Sequence, residues 1–298
     1  MKSISDNYQA SRLWEKGFSG QKVKVAIFDT GIDLKHKHFN HIQDRSNWTD
    51  EDTLEDRLGH GTFVAGVVAG KSSACHGFAE HAEIHTFRVF TQRQMSYTSW
   101  FLDAFNYAIE ERINILNLSI GGPDWHDQPF IDKVREMSSN NVIVVSAIGN
   151  DGPLWGTLNN PADQPDVIGV GGIDYKGNIA AFSSRGMTTW EMPRGYGRVK
   201  PDIVAYGRDV PGSSIQGGCR TLSGTSVASP VVTGAVVLLA STIPEAQRSR
   251  LVNPASMKQA LVESAERQRN AGIFEQGAGH LNVYGAFGVL SNYKPRVS

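Results

Sequence analysis

The sequence predicts an α/β fold of three layers, in which a mostly parallel, twisted sheet carries helices on both faces. Short apolar runs that are typical of buried strands alternate with helical runs along the first half of the chain, and this order favours a parallel sheet covered on both sides. The chain has 298 residues and shows no internal repeat, low-complexity tract or linker. We therefore expect one domain over residues 1–298, with a core at about 20–290.

The elements follow from the apolar pattern. In the first half, strands are expected at 23–28, 83–90, 114–119 and 142–147, with helices at 60–70, 99–111 and 130–140. The second half is richer in Gly and Pro, and it predicts strands at 167–171, 202–205 and 213–222 and helices at 227–240, 254–266 and 282–290. The polar residues 35–57 are interpreted as a surface excursion.

Composition excludes several classes of protein. Lys plus Arg number 29 and Asp plus Glu 30, so charge gives no argument for a nucleic-acid partner. No run of about 18 apolar residues occurs, which predicts no membrane span. Residues 1–20 lack a basic segment followed by an apolar one, so we expect no signal peptide. Cys75 and Cys219 are the two cysteines, and the sequence leaves open whether they pair.

Three side chains fit nucleophilic catalysis. Ser226 stands where a β-rich run gives way to an apolar helix, either as a capping serine or as a nucleophile in the positive field of the helix start. Asp29 follows the first predicted strand, and His60 begins a helix of small residues. A nucleophilic serine needs such a base and a carboxylate that orients it. Asn150, after the strand at 142–147, offers an amide donor for an oxyanion.

Other chemistries fit less well. The single Asp-Thr-Gly at 29–31 lacks the second carboxylate that an aspartic protease needs. A lipase-type elbow would require glycine where Ala228 stands. A binding module derived from an enzyme would have lost one of the three side chains. His36, His38 and His41 lie among Lys and Asn without a paired ligand set, so no metal site is predicted.

Five motifs resemble those of the subtilisin-like serine proteases. They are Val-Ala-Ile-Phe-Asp-Thr-Gly at 25–31, Gly-His-Gly-Thr-Phe-Val-Ala-Gly at 59–66, Asn-Leu-Ser-Ile-Gly-Gly at 117–122, Ala-Ile-Gly-Asn at 147–150 and Gly-Thr-Ser-Val-Ala-Ser-Pro at 224–230. The resemblance spans about residues 23–240 and implies a subtilisin-like fold. It also implies an Asp29–His60–Ser226 triad, with Asn150 as oxyanion donor and no cofactor in the chemistry.

The same resemblance implies how a substrate binds. A polypeptide would lie as an extended strand, and an inhibitory prosegment is expected as a partner. The strand-pairing residues would be Ser119, Ile120, Gly121 and Gly122, with Ala147, Ile148 and Gly149 flanking the pocket for the residue before the cut. The pocket for the fourth residue before the cut would be lined by Phe90, Thr98 and Phe101 together with Ile120.

Further stretches resemble a processing branch of this family; they lie at 97–109, 156–163, 182–190 and 253–260. That branch implies cleavage after a Leu-like residue with an Arg upstream, in luminal regions of membrane-bound precursors such as transcription factors. It also implies the lumen of the endoplasmic reticulum or Golgi apparatus. Asp103, Asp124 and Asp127 are candidates to bind the Arg. A general degradative subtilase is the alternative.

A structural calcium ion is compatible with the family, but the sequence assigns it no site. The loop at 71–76, where many subtilases bind calcium, is short and has no carboxylate. The acidic stretch 44–56 is interpreted as a solvated loop in preference to a calcium site.

Overall fold

A seven-stranded parallel sheet forms the centre of the molecule and confirms the α/β prediction. The computed structural model describes residues 3–122, 126–189, 191–192 and 194–293. The sheet has the order β2-β3-β1-β4-β5-β6-β9, and each neighbouring pair is parallel. Its strands are β1 (Lys24–Asp29), β2 (Ile42–Asn47), β3 (Glu83–Arg88), β4 (Ile115–Leu118), β5 (Ile143–Ala147), β6 (Ile168–Ile173) and β9 (Ile203–Tyr206). Two hairpins lie outside it: β7 (Gly186–Met187) with β8 (Val199–Lys200), and β10 (Val210–Ser213) with β11 (Cys219–Leu222).

Helices cover both faces of the sheet, which gives the three expected layers. Strand β1 is apolar on both sides because its side chains enter two cores. Val25 and Ile27 belong to one core, and Ala26 and Phe28 belong to the other. The described helices are α1 (Ile4–Asn7), α2 (Ser11–Trp14), α3 (His60–Ala69), α4 (Thr98–Glu110), α5 (Gln128–Ser139), α6 (Thr225–Ser241), α7 (Glu245–Leu251), α8 (Pro254–Ser264), α9 (Ile273–Gln276) and α10 (Val283–Ser291). The first core contains α3, α6, α8 and α10, and the second contains α4 and α5.

Helix α6 is buried on almost its whole circumference. Its residues from Val227 to Ala240 are all buried, and it packs against β4, β5, β6 and β9. One polar contact fixes its position along the sheet. The Oδ1 atom of Asn117 on β4 accepts hydrogen bonds from Ser229 Oγ at 3.0 Å and Thr233 Oγ1 at 2.8 Å. The start of α6 is therefore held at the carboxyl edge of the sheet.

Two segments for which the sequence made an explicit prediction differ in the structure. The polar stretch 35–57 contains β2, which lies at the edge of the sheet, where one side of a strand meets solvent and polar residues are tolerated. The segment expected as one strand over 213–222 is a hairpin. Gly217 and Gly218 have φ values of 89° and 67°, a left-handed conformation that turns the chain back between β10 and β11.

A disulfide joins Cys75 to Cys219 and settles the pairing that the sequence leaves open. Cys75 lies in the loop after α3, and Cys219 begins β11, which leads to α6. The bridge spans 144 residues of sequence. It therefore links the loop after the helix of His60 to the strand that precedes the helix of Ser226.

Removal of this disulfide should destabilise the protein. Replacing Cys75 and Cys219 together by Ser should lower the free energy of unfolding by about 2–4 kcal/mol, because the unfolded chain regains the freedom of a long loop. Thermal unfolding with and without a small dithiol reductant checks this. Reductant should lower the melting temperature of the wild type and leave that of the double variant unchanged. An equal shift in both proteins would contradict the structural role of the bridge.

Helix α3 approaches β10 so closely that Gly66 admits no side chain. A Cβ atom there would lie 2.2 Å from Ser213 Oγ and 2.7 Å from the Ser213 backbone nitrogen. We expect Gly66→Ala to lower the free energy of unfolding by about 1–3 kcal/mol. Gly288→Ala on α10 is the control, because nothing lies within 4 Å of its added Cβ and alanine favours helix. Chemical denaturation of both variants measures the difference, and equal stabilities would refute the close contact.

Candidate active site

Asp29 and His60 meet at the carboxyl edge of the sheet. His60 Nδ1 lies 2.8 Å from Asp29 Oδ1 and 2.9 Å from Oδ2, and the Thr30 backbone N–H donates to Oδ1 at 2.8 Å. Asp29 is only 1 % exposed. Since a carboxylate accepts, the proton of the neutral imidazole sits on Nδ1, and Nε2 is left as an acceptor. This is the tautomer that a general base needs.

The surroundings raise the pKa of His60 above its ordinary value. Burial acts in the opposite direction and is the largest single effect, because it disfavours the charged imidazolium. The charge of Asp29 and its hydrogen bond outweigh burial, and the charge of Asp56 adds to them. Arg220 lowers the pKa slightly in return. Groups on several elements thus act on the pKa of His60.

Ser226 occupies the first turn of α6 but does not cap it. The cap position is Gly224, with φ 149°, and no side chain caps the helix by a hydrogen bond. A Cβ at Gly224 would lie 3.1 Å from Ser226 Oγ and 3.6–3.7 Å from the amide atoms of Asn150, so both side chains flank this one backbone position. Among the described residues no hydrogen bond joins Ser226 Oγ to His60, and such bonds are often long in the absence of substrate.

Thr225 fixes the orientation of the Asn150 amide. The Thr225 backbone N–H donates to Asn150 Oδ1 at 2.8 Å, and Thr225 Oγ1 lies 3.0 Å from the same oxygen and 3.0 Å from the Gly149 carbonyl. A backbone N–H can only donate, so the atom that it meets is the amide oxygen. The Nδ2 group is therefore left to face away from Thr225.

A cleft of about 460 Å³ runs past this edge of the sheet. Of the residues expected to bind substrate, Ile148 does not line the cleft, and its side chain is fully buried. Asn150 and Thr225 lie at the cleft wall, which connects it to the site of Ser226. The expected residues that line it are Phe90, Thr98, Phe101, Ser119, Ile120, Gly121, Gly122, Ala147 and Gly149.

Sequence reasoning missed Asn159, which also lines the cleft. Added Cβ atoms at Gly121 and Gly149 would lie 2.8 Å and 2.9 Å from atoms of the Asn159 side chain. A side chain at either position would crowd Asn159, and at Gly149 the Ser184 hydroxyl would lie closer still, at 2.6 Å from the added Cβ. Gly122 exchanges backbone hydrogen bonds with Asn160 at 2.9 and 3.1 Å, which closes the same part of the cleft. Asn159 and Asn160 both fall in the stretch 156–163, whose resemblance to the processing branch carries no indication that it reaches the cleft.

The structure separates the three acidic candidates. Asp127 lines the cleft beside Phe101 and Phe130, accepts a hydrogen bond from Thr98 Oγ1 and caps α5 through the Phe130 N–H at 3.2 Å. Asp103 is exposed on α4 and does not line the cleft. Asp124 lies outside the described residues. Asp127 is thus the described candidate that a substrate side chain can reach.

Four carboxylates of the acidic stretch at 44–56 accept hydrogen bonds from protein donors. The donors are Tyr107 for Asp44, Arg88 for Glu51, Arg45 for Glu55, and several groups for Asp56. In the part of the chain that the structure describes, one group of three potential metal ligands comes together, His38 with Cys75 and Cys219. The two cysteines are consumed by the disulfide.

None of the helices within the described ranges combines the length and the hydrophobicity that crossing a bilayer requires.

Known proteins are similar to this chain in sequence and in fold. The subtilisin-like protease SBT6.1 of Arabidopsis thaliana is 63% identical over 295 residues, 99% of this chain and 28% of that protein. The membrane-bound transcription factor site-1 protease of Homo sapiens is 64% identical over 297 residues, 100% of this chain and 28% of that protein. The solved structure of the prenylagaramide maturation protease PagA matches with a TM-score of 0.78 at 26% identity, over 96% of this chain and 99% of that one.

These similarities concern a part of the larger proteins, since the chain spans 28% of the length of these two curated relatives. The model of the Subtilase family, Peptidase S8, matches residues 20–285. The match includes every motif discussed above. The chain belongs to the subtilase family of serine proteases.

Proposed function

We propose that this chain is a serine endopeptidase whose triad is Asp29, His60 and Ser226. The observation that carries the proposal is the buried Asp29 carboxylate on His60 Nδ1, at the sheet edge where α6 presents Ser226. Ser226 Oγ attacks the scissile carbonyl carbon while its proton passes to His60 Nε2. Asp29 holds the ring in the required tautomer and stabilises the imidazolium that forms.

The tetrahedral intermediate carries its charge on the former carbonyl oxygen. Asn150 Nδ2 and the Ser226 backbone N–H are its proposed donors, because Thr225 turns the amide and the first N–H groups of a helix lack intrahelical partners. Loss of such a donor typically costs about 10²–10³ in kcat. The intermediate collapses when the C–N bond breaks and His60 protonates the leaving amine. Water then hydrolyses the acyl-enzyme by the same steps, and no cofactor is needed.

The cleft fits an extended polypeptide. Residues 119–122 continue β4 beyond the sheet, and we infer that substrate adds there as a strand. The residue before the cut would enter between this stretch and Ala147–Gly149, above Asn159. The fourth residue before the cut would lie among Phe90, Phe101 and Ile120. Asp127 at this aromatic rim is the proposed partner of an Arg at that position.

We assign the chain to proprotein processing of the site-1 type. The 64% identity to site-1 protease supports cleavage after Leu-like residues with an upstream Arg, in luminal regions of membrane-bound precursors. The endoplasmic reticulum or Golgi lumen is the compartment proposed with it, and the disulfide fits an oxidising compartment. An inhibitory prosegment is the expected partner. A structural calcium ion stays a prediction without an assigned site.

The nucleophile is tested by a fluorophosphonate probe together with peptide hydrolysis. The wild type should be labelled and should cut a peptide with Leu at the cut and Arg three residues before it. Ser226→Ala should lose labelling entirely, and His60→Ala should lose most of it, because the hydroxyl then has no base. Mass spectrometry of the labelled peptide locates the adduct. Equal turnover by wild type and Ser226→Ala would refute the proposed mechanism.

The role of Asp127 is tested by substrate preference. We expect Asp127→Asn to reduce the ratio of kcat/KM for Arg over Ala at the fourth position by a few-fold to about tenfold, as for one partly exposed ion pair. Asparagine caps a helix as well as aspartate does, so α5 should remain intact. Asp103→Asn is the matched control and should keep the wild-type ratio. A wild type without preference for Arg would instead favour a general degradative subtilase.

A further inference from the structure

A second buried carboxylate lies beside the proposed triad. Asp56 is 5 % exposed and stands four residues before His60. Its Oδ1 accepts hydrogen bonds from Thr30 Oγ1 at 2.8 Å and from the Gly59 N–H at 2.7 Å. Its Oδ2 accepts from the Thr62 N–H at 2.8 Å and from Thr62 Oγ1 at 2.7 Å. Four donors thus meet a single carboxylate at the start of α3.

These bonds tie the start of α3 to the turn that carries Asp29. Thr30, which donates to Asp56, follows Asp29 directly and accepts the Gly61 N–H on Oγ1 at 3.0 Å. Asp29 and His60 are therefore joined twice, once by their own hydrogen bond and once through Thr30 and Asp56. The second connection constrains the backbone on both sides of the pair.

Gly59 is held at both of its peptide groups by opposite charges. Asp56 accepts its N–H, and Arg220 Nη2 donates to its carbonyl at 2.7 Å. Gly59 has φ 79°, and a Cβ there would lie 2.9 Å from Ile215 Cγ1. We call Asp56, Gly59 and Arg220 the Gly59 clamp. Because His60 is the next residue, the clamp constrains the backbone from which the imidazole extends.

We propose that Asp56 is a positioning residue, which holds His60 in place against Asp29 through the Gly59 clamp and Thr30. The proposal rests on the proposed function, since it concerns the base of that reaction. Asp56 does not line the substrate cleft. Its loss should therefore lower kcat and leave KM unchanged, because the geometry of the base changes while the contacts with bound substrate remain.

Charged groups face His60 from three elements. Asp29 on β1 and Asp56 in the loop before α3 raise its pKa, and Arg220 on β11 lowers it. Only the neutral imidazole accepts the serine proton, so activity rises with pH as His60 loses its charge. Removal of the negative charge of Asp56 lowers the pKa, which moves the acid limb of kcat/KM to lower pH. Removal of the positive charge of Arg220 moves that limb to higher pH.

The test measures kcat, KM and the pH dependence of kcat/KM for Asp56→Asn and Arg220→Gln. For Asp56→Asn we expect kcat to fall on the order of tenfold, KM to stay as in the wild type and the acid limb to move down. For Arg220→Gln the limb should move up. Asn253→Ala removes a cap from α8, where Asn253 accepts the Ser256 N–H, and should lower the melting temperature without moving the limb. An unmoved limb and an unchanged kcat in Asp56→Asn would overturn the proposal.

A direct titration keeps the test independent of turnover. The His60 ring signals of Ser226→Ala and of Ser226→Ala with Asp56→Asn are followed by NMR across the pH range. The second protein should titrate at lower pH, and identical titrations would refute the electrostatic part of the proposal. If Ser226→Ala itself hydrolyses peptides like the wild type, the proposed function fails. If it is inactive but Asp56→Asn behaves as wild type, only the role of Asp56 fails.

Discussion

The burial of α6 against the middle of the sheet is the constraint on which the site depends. The helix is apolar on nearly every side, and its only satisfactory environment is the interior between the sheet and its neighbouring helices. Asn117 adds a polar contact that favours one position along the helix axis, since Ser229 and Thr233 both donate to its oxygen. The start of α6 then lies level with the ends of β1, β4 and β5, which are adjacent in the sheet.

The parallel pairing of the strands brings the other segments of the site together. Asp29 ends β1, residues 119–122 follow β4, and residues 148–150 follow β5, so three chain segments emerge side by side. The carboxylates buried there need donors, because an unpaired charge in the interior is costly. Asp29 has His60 and Thr30, and Asp56 has four donors. The same bonds that compensate burial also fix the side chains in direction.

The positions of most strands of the central sheet along the chain could be predicted from the sequence, and the site residues could be proposed from it, because both signals are local. Asp29 and Asn150 each follow an apolar strand, and parallel strands end at one edge. The hydrogen bonds of Asp56 next to His60 could not be predicted from the sequence. Asp56 lies in the polar stretch 35–57, where a carboxylate is expected to face water. Its burial becomes visible only in the structure of the folded loop. Cys75 and Cys219 are 144 residues apart, and nothing in their local sequence indicates that the loop after α3 meets β11.

The adjacent hydroxyls of Thr225 and Ser226 show how one helix start serves two purposes. Thr225 is fully buried, and its hydroxyl is committed to the Gly149 carbonyl and the Asn150 amide. Ser226 is half-buried, and the described residues give its hydroxyl no hydrogen-bond partner, since Gly224 takes the cap position. Had Ser226 been the cap, its oxygen would have been spent on a backbone N–H. Because Gly224 takes the cap position, the Ser226 hydroxyl is not committed to a backbone N–H, which is compatible with the nucleophile that we propose.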